Sequence, residues 1–133
     1  MTKQDRIVKV NQMIKVIGDC GRRFFYSKDH DRYAAIEMDS RGKIWWIDDY
    51  TGKRIYTHYI YNWKGFSHGG TLRNLVEHFR NYVSKGKPIN LNFFGPWPDY
   101  YCNGDLWGYG KDIMKKVRDE AGRLFGDPSI DHF

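Results

Sequence analysis

Apolar residues recur at helical spacing in three segments of the chain. The apolar stripes are Ile7, Val10, Ile14 and Ile17 in the first, Leu72, Leu75, Val76, Phe79, Tyr82 and Val83 in the second, and Ile113, Met114, Val117, Ala121, Leu124 and Phe125 in the third. This spacing predicts three amphipathic helices. Glycines predict their ends: Gly18 and Gly21 after the first, Gly86 after the second and Gly126 after the third, which we expect Asp112 to cap at its start.

Between the first two helices the apolar period changes from helical to alternating. Residues 24–26, 33–39, 43–49 and 53–60 are rich in aromatic and β-branched side chains and predict strands. The pattern Asp-x-x-Gly-Lys occurs at 39–43 and again at 49–53, and it suits a type I turn closed by a left-handed glycine. We therefore expect an antiparallel meander with Asp39 opposite Lys43 and Asp49 opposite Lys53.

This register assigns every strand side chain to a face of the sheet. The predicted inner face carries Ala34, Ile36, Met38, Ile44, Trp46 and Tyr56, with Asp48 opposite Arg54 near the edge. The predicted outer face carries Tyr33, Ala35, Glu37, Trp45, Ile47, Ile55, Thr57 and Tyr59. The inner face belongs to the core, and the outer face is either half exposed or covered by another aromatic segment.

Such a segment follows the second helix. Residues 89–110 contain too many prolines and glycines for a regular element and too many aromatic rings for a solvated linker. The rings could stack on unpaired bases, anchor a protein interface, or cover the sheet as part of the core. The predicted fold is α+β in one domain, residues 1–133: a helix, a meander of three or four strands, a helix, an aromatic loop and a final helix.

Composition adds two features to this picture. The chain holds 8 Phe, 5 Trp and 10 Tyr among 133 residues, and Tyr and Trp suit half-exposed contact surfaces. Its formal net charge is +6, which fits an acidic partner. The excess is concentrated in residues 1–28, where seven basic residues face two acidic ones. This segment predicts a basic patch, although a solvated helix face explains the charges equally well.

Other classes of protein are excluded by the sequence. The N-terminal segment mixes charged with apolar positions and does not resemble a secretory signal, and no stretch reaches membrane-spanning length. Cys20 and Cys102 lie in no metal-ligand spacing, and we expect two free thiols. We predict a cytoplasmic protein that binds no cofactor, metal or membrane; its oligomeric state is left open.

One candidate for chemistry is the loop before the second helix. Gly69 and Gly70 expose backbone N–H groups at a helix N-terminus, and His68 and Arg73 flank them. Such an arrangement can bind an anion. The alternative is a tight turn in which Gly70 or Thr71 caps the helix. The Walker spacing and the nucleophile elbow are both missing.

Catalytic constellations are few. Cys102, His68 and either Asp99 or Asp105 could form a nucleophile, a base and an orienting carboxylate, but nothing in the sequence brings them together. His58, His68 and His78 fall on different predicted elements, and no metal-binding histidine pair occurs. We therefore lean towards a protein without enzymatic activity.

Four segments carry a resemblance to known proteins. GKRIYTHY at 52–59, GFSHGGTLR at 65–73, FGPWP at 94–98 and GDLWGYG at 104–110 resemble a group of small bacterial and mobile-element proteins with no assigned activity. The resemblance covers roughly residues 53–111 and implies no reaction. Small proteins of phages and plasmids often inhibit host defence complexes, anti-CRISPR proteins among them, and this supplies an analogy only.

Together these observations favour a non-enzymatic protein that binds nucleic acid or an acidic or nucleoprotein complex, by analogy an inhibitor of host defence. The predicted contacts are the basic residues Lys9, Lys15, Arg22 and Arg23 and the aromatic residues Tyr33, Trp45, Tyr59, Trp97, Tyr100 and Tyr101. The alternative is a small enzyme or ligand-binding protein that takes an anionic, phosphorylated substrate at His68, Gly69, Gly70 and Arg73.

Overall fold

The computed structural model describes residues 1–21, 24–58, 60–95 and 110–126. Three helices span Lys3–Gly21 (α1), Gly70–Lys85 (α2) and Lys111–Phe125 (α3). Five short strands span Tyr26–Ser27 (β1), Arg32–Tyr33 (β2), Ala35–Met38 (β3), Ile44–Ile47 (β4) and Arg54–Tyr56 (β5). The strands form a β1–β2 hairpin and a separate three-stranded sheet in the order β3-β4-β5, both antiparallel. The predicted α+β class is confirmed.

Helix α1 lies at the centre of the fold and contacts α2, α3 and β3. Its predicted stripe is buried, with Ile7 4% exposed and Val10, Ile14 and Ile17 not exposed at all. The helix continues through Gly18, where we expected it to end. A β-carbon on Gly18 would lie 3.0 Å from Cβ of Tyr26 and 3.2 Å from Cδ1 of Tyr33. Gly18 is thus an interior contact that lets the β1–β2 hairpin approach the helix, and not a stop signal.

The ends of α2 and α3 follow the glycine signals only in part. Gly86 adopts the left-handed conformation, with φ of 72°, and its N–H donates to the carbonyl of Tyr82. At the start of α2 the N-cap is Gly69, not Gly70 or Thr71. At the start of α3 the N-cap is Gly110, and Asp112 lies within the first turn. A carboxylate there still suits the positive end of the helix dipole.

The predicted aromatic loop begins with a regular element that the proline and glycine content concealed. Residues Leu91–Phe94 form a 3₁₀ turn, in which the side chain of Asn90 accepts a hydrogen bond from the N–H of Asn92. Phe94 is fully buried in the core. The remainder of that segment, residues 96–109, lies outside the described residues.

The first turn of the meander has the predicted geometry. The N–H of Gly42 donates to the carbonyl of Asp39 at 3.0 Å, and the N–H of Asp39 donates to the carbonyl of Lys43 at 3.0 Å. Gly42 has φ of 83°, which favours glycine. Asp39 therefore lies opposite Lys43, as expected.

The second turn starts one residue earlier than predicted. The N–H of Asp48 donates to the carbonyl of Lys53 at 2.9 Å, and the N–H of Gly52 donates to the carbonyl of Asp48 at 2.9 Å. Lys53 thus lies opposite Asp48, and our expectations of Asp49 there and of Arg54 opposite Asp48 were wrong. The reason is the side chain of Asp48, whose Oδ2 accepts from the N–H groups of Tyr50 and Thr51 and closes the turn.

This shift of one residue inverts the predicted orientation of β5, because alternate side chains point to opposite faces. Ile55 pairs with Trp46 and is buried, and Tyr56 pairs with Trp45 on the outer face. Thr57 is also buried, with its hydroxyl donating to the carbonyl of Ile44 at 2.7 Å. We had placed Tyr56 inside and Ile55 and Thr57 outside, and those three assignments were wrong.

The outer edge of β3 is closed by a side chain of α1. The amide of Asn11 donates to the carbonyl of Ile36 at 3.0 Å and accepts from its N–H at 2.8 Å. These are the backbone groups of Ile36 that point away from β4 in this register. One side chain thereby fixes the position of the sheet relative to the central helix.

We expect Asn11→Ala to destabilise the protein by about 1–3 kcal/mol, because both backbone groups of Ile36 lose their partners. Chemical denaturation measures the loss, and Gln12→Ala, an exposed change one residue further along the same helix, is the control. Equal stability of the two variants would contradict the role given to Asn11.

Candidate functional site

The outward side of the three-stranded sheet is the first candidate surface, which we call the outer sheet face. It consists of Ala35, Glu37, Trp45, Ile47, Arg54 and Tyr56, with Lys43 at its border. All of these side chains are at least partly exposed. The predicted half-exposed face therefore exists, with Arg54 and Tyr56 in place of Ile55 and Thr57.

Aromatic rings and cations alternate on this face. The rings of Trp45 and Tyr56 lie 5.2 Å apart, centre to centre. The guanidinium of Arg54 lies 4.1 Å from the centre of the Trp45 ring, and the ammonium of Lys43 lies 5.1 Å from that of Tyr56. Both cations are within the range of an attractive cation–π contact.

Two carboxylates fix the positions of these groups. Glu37 pairs with Arg54 at 3.3 Å, and Asp39 accepts a hydrogen bond from the indole N–H of Trp45 at 3.0 Å. That hydrogen bond, more than any other contact, lowers the pKa of Asp39 and keeps it ionised. The indole is thereby held by its polar edge.

The apolar surface continues beyond the end of β5. Tyr61 packs its ring 5.5 Å from that of Tyr56 and is 52% exposed. Ile60 beside it is 67% exposed, a large value for an apolar side chain. Tyr61 therefore extends the aromatic surface of the outer sheet face, and Ile60 adds an exposed apolar side chain next to it in the sequence.

The predicted basic patch is partly used inside the fold. The ammonium of Lys9 donates to the carbonyl of Leu124 at 3.2 Å, and the guanidinium of Arg6 donates to that of Val83 at 3.1 Å. Each cation thus meets the C-terminal end of a neighbouring helix, where the dipole favours positive charge. Lys15 is exposed but pairs with Asp19 at 2.8 Å. Arg22 and Arg23 lie outside the described residues.

The predicted aromatic contacts are also divided. Trp45 lies on the outer sheet face. Tyr33 does not: it belongs to the β1–β2 hairpin, where its ring packs 4.7 Å from that of Tyr26 and its hydroxyl donates to Asp19. Tyr59, Trp97, Tyr100 and Tyr101 lie outside the described residues. So do Asp99, Cys102 and Asp105, which the sequence offered with His68 as a possible catalytic triad. For those residues the predictions stay predictions.

His68 forms the second candidate site, together with a partner that the sequence reasoning did not identify. Its Nε2 lies 2.6 Å from Oδ1 of Asp49, and the two side chains are only 8% and 3% exposed. The imidazole is enclosed by the rings of Phe24, Phe25 and Phe66, each in an edge-on contact. This pairing holds the segment before α2 against the β4–β5 turn.

Asp48 anchors the same segment from inside the protein. Its Oδ1 accepts from the N–H of Ser67 at 2.9 Å and from the Ser67 hydroxyl at 3.1 Å, while Oδ2 accepts from the N–H groups of Tyr50 and Thr51. Burial raises the pKa of Asp48, but the hydrogen bonds from Thr51 and Ser67 together outweigh it and lower the pKa overall. A fully buried carboxylate is thereby kept ionised.

An open cavity of about 520 Å³ lies beside His68. Its wall includes the rings of Phe24, Tyr26 and Tyr50, and its polar lining includes Ser67, Asp49 and the exposed pair Lys28 and Asp29. The volume suits a small molecule. Because Asp49 and Asp29 both line it, the cavity does not provide a purely cationic environment for a phosphate.

The four residues predicted to bind an anion do not converge on one point. His68 turns towards Asp49, whereas Gly69 and Gly70 are exposed at the helix N-terminus. Arg73 bonds to Glu77 at 3.3 Å and to the carbonyl of Tyr61 at 2.9 Å, and it stacks over Trp63. The prediction of an anion site stays untested, and these contacts give it no support.

The Asp48, Asp49 and His68 trio also raises the question of a metal, since their ligand atoms lie within 4.8 Å of one another. The donors present do not fit one. Both oxygens of Asp48 accept hydrogen bonds from N–H groups that an ion would have to displace. The trio therefore forms a hydrogen-bonded anchor between the β4–β5 turn and the segment before α2.

Comparison with known proteins places the chain in a family. The sequence profile of the YoqU family matches residues 1–126. The chain belongs to the YoqU family. It is 31% identical over 137 residues to the "SPbeta prophage-derived uncharacterized protein YoqU" of Bacillus subtilis (strain 168), an alignment that covers 99% of this chain and 92% of that protein. No solved structure matches the chain. The resemblance to mobile-element proteins is thus confirmed at the level of a family with a prophage member.

In the described part of this YoqU family member, no helix is both long and apolar enough to cross a membrane.

Two side chains of the candidate sites escaped the sequence reasoning for one reason. The pattern Asp-x-x-Gly-Lys fits Asp49 and not Asp48, so it predicts Asp49 opposite Lys53 and places Tyr56 in the core. The signal that separates them is Ser67, which offers a backbone and a hydroxyl donor to Asp48, next to His68, which needs an acceptor.

We expect Asp48→Asn to lower stability by about 1–3 kcal/mol at neutral pH, because an amide cannot accept at both positions. The folded-state pKa of Asp48 is lowered, so its ionised form stabilises the fold above the unfolded-state pKa of about 3.9 and this contribution disappears as the pH falls through the folded-state pKa. The difference between wild type and variant should shrink in acid.

Denaturation at a series of pH values measures this, with the exposed Asp29→Asn as control. A difference that stays constant down to the acid limit would show that the Asp48 carboxylate is not the source.

Proposed function

We propose that this protein is a non-enzymatic binding protein that takes single-stranded nucleic acid on its outer sheet face. The observation that carries the proposal is the pair of partly exposed rings, Trp45 and Tyr56, with the cations of Arg54 and Lys43 against them. Rings that accept bases by stacking, beside cations that meet phosphates, are the common elements of single-strand binding surfaces.

The shape of the surface favours unpaired over paired bases. Stacking needs the flat face of a base, and in a duplex the neighbouring bases already cover that face. A sheet with exposed aromatic rings therefore binds single strands in preference to duplexes. On α1, the two described residues of the predicted basic patch, Lys9 and Lys15, both have partners within the fold. A duplex would find few contacts here.

Charge supports the same partner class. The protein carries a formal net charge of +6, which attracts polyanions at long range. On the outer sheet face Glu37 offsets Arg54, so we assign most of the local attraction to Lys43 and to the exposed Arg41 in the neighbouring turn. Affinity should therefore depend on salt, with stacking supplying the part that salt does not remove.

Occupation of single strands suggests how such a protein would act. A protein that covers exposed bases blocks access by a nucleoprotein complex that must reach them. A prophage relative fits this role. Inhibition of a host defence complex, with anti-CRISPR proteins as the analogy, stays a prediction and rests on the binding proposed here.

We expect Trp45→Ala to weaken binding of a single-stranded oligonucleotide by roughly 5- to 150-fold, which corresponds to the 1–3 kcal/mol of one base–aromatic stack. Fluorescence anisotropy with single- and double-stranded DNA and RNA at two salt concentrations measures it. Trp45→Phe, which keeps a ring, should retain most of the affinity.

Val8→Ala truncates an exposed apolar side chain on α1 and is the matched control. Absence of binding by the wild-type protein at low salt, or equal loss in Trp45→Ala and Val8→Ala, would refute the proposal.

The cavity beside His68 favours a second candidate function, the binding of a small molecule. Its aromatic wall and the fixed His68–Asp49 pair are the supporting observation. If this holds, a nucleotide or sugar phosphate that fits should raise the melting temperature, because a ligand that binds only the folded state stabilises it.

Tyr50→Ala removes part of the wall without touching the His68–Asp49 hydrogen bond and should abolish the rise. A screen in which no compound raises the melting temperature, or a rise that Tyr50→Ala leaves intact, would remove this candidate.

A further inference from the structure

The two outer edges of the three-stranded sheet differ. In an antiparallel pair, residues alternate between positions whose backbone groups bond to the neighbouring strand and positions whose groups point away from it. In β3 the outward groups include those of Ile36, and Asn11 satisfies both. This edge is closed by α1.

The outward groups of β5 follow from its register. The backbone bonds of Asp48 with Lys53 and of Ile44 with Thr57 mark the bonded pairs, so Ile55 bonds to Trp46 between them. Arg54 and Tyr56 are then the residues whose N–H and C=O groups point away from β4. Within the described residues, neither backbone forms a hydrogen bond to another element.

We propose that the free edge of β5 binds an extended acidic peptide of a partner protein, which adds to the sheet as a fourth strand. Unpaired backbone groups on an edge strand form a template for such addition, and main-chain hydrogen bonds supply the affinity. The outward groups of Arg54 and Tyr56 offer two donors and two acceptors in the spacing that an added strand requires.

The charge along this edge selects the partner. Lys53 and Arg54 are both exposed, and the adjoining turn adds Arg41 and Lys43. An added strand with acidic side chains at alternate positions would present them on the outer sheet face beside Arg54 and Lys43, and its apolar side chains would then point to the inner side of the sheet, where Ile55 lies. A second copy of this chain is a poorer occupant, since each copy carries a net charge of +6.

This inference does not depend on nucleic-acid binding. Bases would stack on the flat face of the sheet through Trp45, whereas the peptide would bond to the backbone along its edge. Hydrogen exchange of the backbone amides along this edge therefore tests the inference, and its outcome is separate from that of Trp45→Ala.

The test uses the full chain and a short peptide of alternating Glu and Val, with a Lys and Val peptide of equal length as the control. We expect the acidic peptide to bind at least about tenfold more tightly. Amide hydrogen exchange should slow at Arg54 and Tyr56 in the complex, and the amide of Ile55, already bonded within the sheet, should change little.

Two substitutions at one position separate backbone from side chain. Arg54→Ala removes the charge and keeps the outward N–H, whereas Arg54→Pro removes both; proline is tolerated at edge positions whose N–H faces away from the sheet. Arg54→Pro should abolish binding and Arg54→Ala should only weaken it, with melting curves confirming that each variant is folded.

Three results would overturn the inference. The first is equal binding of the two peptides. The second is binding of the acidic peptide without protection of the Arg54 and Tyr56 amides. The third is protection of the same amides without any peptide, either by self-association of the protein or by a bound oligonucleotide. The exchange measurement on the wild-type protein decides the question even if Arg54→Pro does not fold.

Discussion

The buried carboxylate of Asp48 determines which way every side chain of β5 points. It closes the β4–β5 turn through Tyr50 and Thr51, and it anchors the segment before α2 through Ser67. A buried ionised group is costly unless its oxygens are hydrogen bonded, so the turn can start only where these donors meet Asp48. The register of β5 is a consequence of that requirement.

Both surfaces proposed to bind depend on this register. Because Lys53 lies opposite Asp48, Ile55 enters the core, Tyr56 joins Trp45 on the outer sheet face, and the backbone groups of Arg54 and Tyr56 point outwards. A shift of one residue would bury Tyr56 and expose Ile55 instead. One interior hydrogen-bond network thus sets the composition of a surface on the opposite side of the sheet.

The central helix explains part of the charge of this protein. The sequence showed an excess of positive charge near the N-terminus, and the structure uses Arg6 and Lys9 at the C-terminal ends of α2 and α3. A cation in that position is stabilised by the helix dipole. The local excess therefore has a structural use, and the net charge of the whole chain is the better guide to its partners.

Local patterns predicted the parts of the fold that local physics decides. Helical spacing located the three helices, and the first Asp-x-x-Gly-Lys pattern gave its turn correctly because every partner of Asp39 in that turn lies within a few residues. The second copy failed because the choice between Asp48 and Asp49 is made by Ser67, nineteen positions away. Gly18 misled for the same reason, since its contacts are Tyr26 and Tyr33.

The candidate site was predictable to the same extent. Trp45 could be placed on the outer face from the first turn alone, whereas its neighbours Arg54 and Tyr56 required the second. His68 was recognisable as a polar residue in an unusual loop, but its partner Asp49 is again nineteen positions away. Contacts between distant segments are the information that periodicity does not contain.

The most direct test of this account is the pattern of cross-strand contacts between α-protons in the nuclear Overhauser spectrum of the free protein. Residues in non-hydrogen-bonded antiparallel pairs bring their α-carbons closest together and give the strongest signals. The register set by Asp48 predicts a strong signal between Trp45 and Tyr56. A strong signal between Ile47 and Ile55 would instead mean that the turn is closed by Asp49 opposite Lys53, and it would contradict the account.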